Sequence, residues 1–256
     1  MNTLIISIGL LALMGFTLAD YCSPSLCNGA QHIACGHSGR FDSSCPSNAA
    51  SVNMSPSLRD YIINYHNEKR NLVAGGGAPN LQPACRMATM QWDEELAYLA
   101  ALNVRQCKMA HDKCRNTATF KYSGQNLAWR SYSGSPNYQE LAKIGMDMWY
   151  DEVAHMNMDY INAYPQGYSG PAIGHFTVMM NGPNIRLGCA AATYADTGRD
   201  RQIFLIACNY ARVNVATLPV YASCSSGGSE CTTGRNPKYT NLCSTSEAYD
   251  VNNLFV

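Results

Sequence analysis

Between residues 58 and 218 the apolar positions fall into three helical stripes and one pair of alternating runs, while the segments on either side show no period. Ser55 followed by Pro56 supplies a cap and a first-turn proline, and Leu58, Ile62, Tyr65 and Leu72 continue a helical stripe until Gly75, Gly76 and Gly77 stop it. Lys69 is its one polar interruption. A second helix is predicted from about Asp93 to Cys107 on Leu96, Leu99, Ala100 and Val104, its start favoured by Asp93, Glu94 and Glu95 through the helix dipole. A third spans about Tyr138 to Val153 and buries Leu141, Ile144, Met148 and Trp149. Between the last two, Ala118 to Trp129 reads as a strand with Gly124 inside it, and Asn157 to Gly174, carrying Tyr160, Tyr164 and Tyr168, reads as a long loop. The clearest β signal is IRLGCAAATYA, the turn Asp196-Thr197-Gly198, and RQIFLIACNYA, a hairpin with Cys189 and Cys208 one on each strand, where they can pair.

The ends lack a core of their own. From Asp20 to about Ser55 the chain offers only short stretches rich in Ser, Asn, Gly and Cys, and after Leu218 it reverts to Ser, Gly, Thr and Cys. Bridges must fasten both to the middle, which predicts one α+β layered domain over residues 56–218 with an N-terminal arm, 20–55, and a C-terminal tail, 219–256. Residues 1–19 read as a signal peptide, with an apolar stretch from Leu4 to Leu13 and Ala19 at a plausible cleavage point. That stretch is too short to span a bilayer and nothing later approaches the needed length, so a secreted, soluble protein with no transmembrane segment is expected.

Cysteine usage agrees with that compartment. All twelve cysteines, an even number, follow residue 19, and with no Cys-x2-Cys knuckle among them disulfides are favoured over a structural zinc-cysteine site. Formal charge is balanced, 18 basic against 18 acidic residues, which argues against nucleic acid as a partner and against a polybasic lipid anchor.

Five stretches in order carry more specific information: CKMAHDKC (107–114), YSGQNLAW (122–129), MWYDEV (148–153), GHFTVMM (174–180) and ACNYARVN (207–214). Together they resemble the CAP superfamily of cysteine-rich secretory proteins, insect venom antigen 5 and plant pathogenesis-related proteins. Four cysteines ahead of the first helix look most like the insect antigen 5 branch. The resemblance implies a three-layer α-β-α sandwich with disulfide-tied arms. It also implies a central cleft of two histidines and two acids, which by motif match His111, His175 and Glu152, with Gln125 standing where relatives have the second acid. Cys22–Cys35, Cys27–Cys114, Cys45–Cys107 and Cys189–Cys208 are the bridges it implies; Cys85, Cys224, Cys231 and Cys243 then have three ways to pair.

Those residues suggest several chemistries. His111 and His175 are candidate ligands for a divalent ion such as zinc, with water completing the shell. Hydrolysis would need a general base as well, and Gln125 cannot accept a proton, so a non-enzymatic protein is expected; a zinc-dependent hydrolase on His111, His175 and Glu152 is the alternative. His155, three residues after Glu152, is a supplementary candidate, and His66 reads as a packing residue. The resemblance also implies a small apolar ligand of sterol or fatty-acid type, here with the Tyr-rich loop and Met146, Met148, Met156, Met158, Met179 and Met180 as lining. In the arm, GHSGRFDSS sets Arg40 and Asp42 on either side of Phe41, where some antigen 5-like proteins of blood-feeding insects carry an integrin-binding Arg-Gly-Asp; Phe41 removes the backbone freedom glycine gives that turn. This is a candidate recognition loop for an extracellular protein. Asn53-Met54-Ser55 is a glycosylation sequon followed by Pro56. The expected function is that of a secreted antigen 5-like protein binding an apolar ligand or a protein partner, or an allergen-like protein with no ligand.

Overall fold

The computed structural model describes residues 20–255, so the expected signal peptide lies outside the described residues. Its centre is a five-stranded sheet: β1 (Ala50–Ser51), β4 (Arg186–Ala195), β5 (Gln202–Tyr210) and β3 (Gly124–Tyr132) in that order, with β2 (Gln91–Trp92) also pairing β4. The β4–β5 hairpin and the β3–β5 pair are antiparallel, and β2 runs parallel to β4. Strand side chains alternate between two cores, as a period of two requires. Cys189, Ala191, Phe204, Ile206 and Cys208 face the larger one with α1 (Pro56–Ala74), α3 (Tyr138–Asp151) and α5 (Gly174–Met180). Ala190, Ala192, Leu205 and Ala207 face α2 (Glu94–Val104). The result is helices, sheet, helix: three layers.

Local chemistry explains the ends of these elements. Ser55 Oγ accepts from Leu58 N and Pro56 opens α1; Asp93 Oδ1 accepts from Leu96 N at 2.9 Å to cap α2; Asn137 caps α3 through Glu140 N. Gly188 on β4 has no room for a Cβ, which would strike the backbone of Asp93 and Ala97, so glycine sets how closely α2 lies on the sheet.

Four details differ from the sequence reading. On α1 the buried stripe turns at Arg70 and Val73 and leaves Leu72 exposed, because the Arg70 guanidinium is fully buried and donates to the carbonyls of Ala88, Met179, Asn181 and Gly182. On α3, Met148 is exposed and Ile144 half-buried, whereas Gly145 and Met146 face the sheet. β3 begins at Gly124, since residues 118–123 form a turn closed by Phe120 N to Thr117 Oγ1. Within the expected loop lies a short α4 (Met158–Asn162), and the apolar run after Gly174 is helical.

Five bridges form: Cys22–Cys35, Cys27–Cys114, Cys45–Cys107, Cys189–Cys208 and Cys231–Cys243, while Cys85 and Cys224 are unbridged. Cys189 and Cys208 are direct partners in the β4–β5 register. The arm and tail are not separate bodies, for Val52 of the arm and Val220, Tyr221, Tyr239 and Leu242 of the tail sit in the larger core. No helix among the described residues is long and apolar enough to cross a membrane.

Candidate functional site

His111 and His175 line one cavity of about 470 Å³, with Gln125, Asn126, Tyr164 and Asn214 around them. His111 comes from the bridged segment after α2, Gln125 from the start of β3, and His175 from the first turn of α5. The cavity continues into a wider one of about 630 Å³ under the loop of Tyr164 and Tyr168; Tyr164, Ala172, Gly174 and Asn214 border both.

Each histidine is held from behind through Nδ1. His175 Nδ1 donates to Glu152 Oε1 at 2.5 Å, while Glu152 Oε2 accepts the backbone N–H groups of His175 and Phe176 at 2.8 and 2.9 Å. Glu152 follows α3 directly, in a 3₁₀ turn (Glu152–His155), and is buried. His175 also lies parallel to the Trp149 ring, whose Nε1 is fixed on Leu127 O. On the other side His111 Nδ1 meets Gln125 Oε1 at 2.8 Å. The Gln125 amide has only one workable orientation, because its Nε2 donates to Asp112 Oδ2 at 2.8 Å and to Asn209 Oδ1 at 2.9 Å. Asn209 is oriented in turn by Leu96 O, and Asp112 by an ion pair with Arg115 and a bond from Asn103. Gln125 Oε1 is therefore an acceptor and His111 Nδ1 carries the proton. Among the described residues Nε2 of neither histidine has a hydrogen-bond partner in the protein.

Two imidazoles with Nε2 free of protein partners, each held through Nδ1 on a protein oxygen, form the usual ligand and outer-shell arrangement for a divalent metal. The donor set fits zinc with solvent completing the shell. A three-ligand site is not formed: among the described residues His111, His175 and Glu152 do not bring three donor atoms within 4.8 Å of one another. The group that does, Cys27, His32 and Cys114, is closed to metal, since the two sulfurs are bonded to each other. His32 is also used up, with Nε2 donating to Asn116 O and Nδ1 accepting from Ala34 N.

Other predicted residues are distributed differently. His155 is exposed at the end of the 3₁₀ turn. His66 is fully buried between Ile62 O and Tyr210 OH, and burial lowers its pKa to about 4. Met146, Met156, Met179 and Met180 are filler of the larger core rather than a cavity lining, and Met148 faces solvent. Phe41 packs on the sheet face below α2 and anchors the arm, which leaves Arg40 and Asp42 exposed. Asn53 is exposed. Sequence reading missed Asp112, Asn209 and Arg115, the residues that orient Gln125; HDKCR places two of them beside His111, but only the fold brings Gln125 to them.

The family model described as "CAP: Cysteine-rich secretory protein family" matches residues 63–210. "Venom allergen-1" of Aedes aegypti is 40% identical over 239 residues, covering 92% of this chain and 91% of its own length. "Antigen 5 like allergen Cul n 1" of Culicoides nubeculosus is 40% identical over 191 residues, 71% of this chain and 87% of that one. Among solved structures, "Crystal structure of NaASP2 with Zn2+" superposes with a TM-score of 0.63 at 25% identity, over 78% of this chain and all of that one.

Proposed function

The chain belongs to the cysteine-rich secretory protein (CAP) family, and on that premise we propose that it is a secreted, antigen 5-like binding protein without hydrolytic activity, whose cleft takes one zinc ion on Nε2 of His111 and His175. Secretion is supported by the signal-like first nineteen residues and five bridges, which persist only in an oxidising compartment. The observation that carries the rest is how the cleft's oxygens are committed. Both oxygens of Glu152 already accept protons from His175 and the α5 backbone. The Gln125 amide cannot take up a proton, and its Oε1 is engaged by His111 while its Nε2 donates to Asp112 and Asn209. Zinc held by the two histidines would supply positive charge and polarise a coordinated oxygen, while Glu152 and Gln125, committed as they are, leave neither residue free to serve as its general base. A relative of the same fold solved with Zn2+ supports the choice of ion.

Zinc titration of the oxidised protein tests this. One ion per chain is expected, with His111→Ala and His175→Ala each weakening it about 100-fold or more. Zinc binding unchanged by both substitutions, or peptide hydrolysis that disappears in Glu152→Gln, would overturn the reading. The same proposal includes a small apolar ligand held on the disulfide-fixed scaffold, away from the buried methionines and the polar cleft.

A further inference from the structure

In the strand order β1, β4, β5, β3, the last strand has β5 on one side and no strand on the other. The register tells which of its backbone groups are unpaired. Asp196 N–H donates to Arg201 O at the hairpin end, so alternate β5 residues from 203 to 209 bond β4, and those from 202 to 210 bond β3. Their β3 partners are Gly124, Asn126, Ala128, Arg130 and Tyr132, which leaves the N–H and C=O of Gln125, Leu127, Trp129 and Ser131 pointing out of the sheet. Trp149 Nε1 covers this edge at Leu127 O, and residues 124–128 are buried. Beyond them the edge is open. No backbone group of Trp129 or Ser131 has a hydrogen-bond partner among the described residues, Trp129 is 45% exposed, and Arg130 is exposed beside it.

Side chains along this stretch alternate. Trp129 stands on the same face as Leu127, toward α2, and Arg130 stands on the other face with Tyr132, making no ion pair among the described residues. A bare edge of this kind is a template for an added strand, and a lone charge on it decides which strand pairs. A second copy of the chain brings another Arg130 to the seam. The open stretch, residues 129–132, is also only about 13 Å long, which falls short of the roughly 800 Å² per partner that a stable dimer buries. An acidic strand instead gives Arg130 the partner it lacks.

We propose that residues 129–132 of β3 take up an extended acidic segment of another protein as an additional antiparallel strand, its backbone bonded to Trp129 and Ser131, a carboxylate opposite Arg130 and an apolar side chain beside Trp129. None of these four residues lines the histidine cleft, so the edge needs neither zinc nor an apolar ligand.

The test titrates the peptide acetyl-Thr-Val-Glu-Val-Thr-amide into the oxidised, isotope-labelled protein and follows it by nuclear magnetic resonance. In the proposed pairing its two valines exchange hydrogen bonds with Trp129 and Ser131, and its glutamate faces Arg130. Saturable shifts of the Trp129 and Ser131 amide signals are expected, with slowed exchange of those two N–H groups, while exchange at Arg130, already bonded to β5, changes little. N-methylation of both valines should weaken binding about 30-fold, the loss of two hydrogen bonds, whereas N-methylation of the glutamate, whose N–H points away from β3, should leave it unchanged. Lysine in place of the glutamate should bind about fivefold more weakly, and Arg130→Glu should reverse that preference. Ser131→Pro removes an outward N–H and none of the bonds to β5, so it should abolish binding while near-ultraviolet circular dichroism stays native. Binding indifferent to N-methylation of the valines, an unchanged preference in Arg130→Glu, or no shift at millimolar peptide would overturn the proposal. So would a wild-type dimer that Ser131→Pro dissociates, because the edge would then belong to a second copy.

Discussion

Replacing Gln125 with glutamate supplies the second cleft acid that the family resemblance implies, and the structure predicts that this damages the site. The side chain is 7% exposed, so a carboxylate there cannot turn to water. Its second oxygen would occupy the place of Nε2, 2.8 Å from Asp112 Oδ2 and 2.9 Å from Asn209 Oδ1, both of them acceptors. Two carboxylates at that separation repel by about 6 kcal/mol at an effective dielectric constant of about 20. Losing the donor also leaves the Asn209 oxygen buried and unpaired, which costs about 1–3 kcal/mol. Proton uptake and side-chain rotation relieve much of the repulsion, so a net loss of about 3 kcal/mol is expected at neutral pH. Urea midpoints of the oxidised variant and wild type measure it, with zinc titration alongside. Adding Asp112→Asn to the glutamate variant supplies a donor and should return part of the loss, a positive coupling in a double-mutant cycle. If Gln125→Glu is as stable as wild type and binds zinc more tightly, Asp112 does not orient Gln125 and the support chain behind His111 is wrong.

Three further outcomes follow from particular contacts. Burial alone would raise the Glu247 pKa, but hydroxyl and backbone N–H donors of Thr233 and Thr232 outweigh it and bring the value down to about 2. A folded pKa below the unfolded one gives stability that is present above about pH 4.5 and lost as pH falls toward about 2. Glu247→Gln should therefore cost about 2–3 kcal/mol at pH 6 and little at pH 2.5, measured by urea midpoints, and equal losses at both would refute it. Gly188→Ala should cost about 3 kcal/mol or prevent folding, since its Cβ meets α2 backbone that cannot move aside; an unchanged melting temperature would contradict that packing. Cys85 and Cys224 are neighbours across the Ala84–Ser223 bridge, and burial pushes the Cys85 thiol up to about 12. The oxidised protein should contain a sixth bridge between them and no titratable thiol under denaturant; two thiols would show otherwise.

The layers were legible because α2 and the β4–β5 hairpin follow their periods closely. Leu96, Leu99, Ala100 and Val104 are all buried, and the hairpin register pairs Cys189 with Cys208. Where prediction slipped, tertiary partners overrode local pattern. Arg70 looks like a surface residue until four backbone carbonyls surround it, which rotates the buried stripe of α1 away from Leu72. The strands at 50–51 and 91–92 have two residues each, too short to carry a period, and exist only because β4 pairs with both.

The position of His175 in front of an apolar run shows why a motif can locate a site without revealing how it works. α5 has seven residues, and Phe176 through Met180 are all buried, so its sequence has no polar face to announce a helix. A helix this short gains little from its own hydrogen bonds and depends on packing and on partners for its first N–H groups. Glu152 accepts two of them with one oxygen and the imidazole with the other. The acid that looked like a catalytic base is thus required to hold the short helix and its histidine in place. On the opposite wall the Gln125 amide does the corresponding task for His111. The two supports therefore do different work: a carboxylate fixes His175 together with the first turn of α5, and an amide fixes His111.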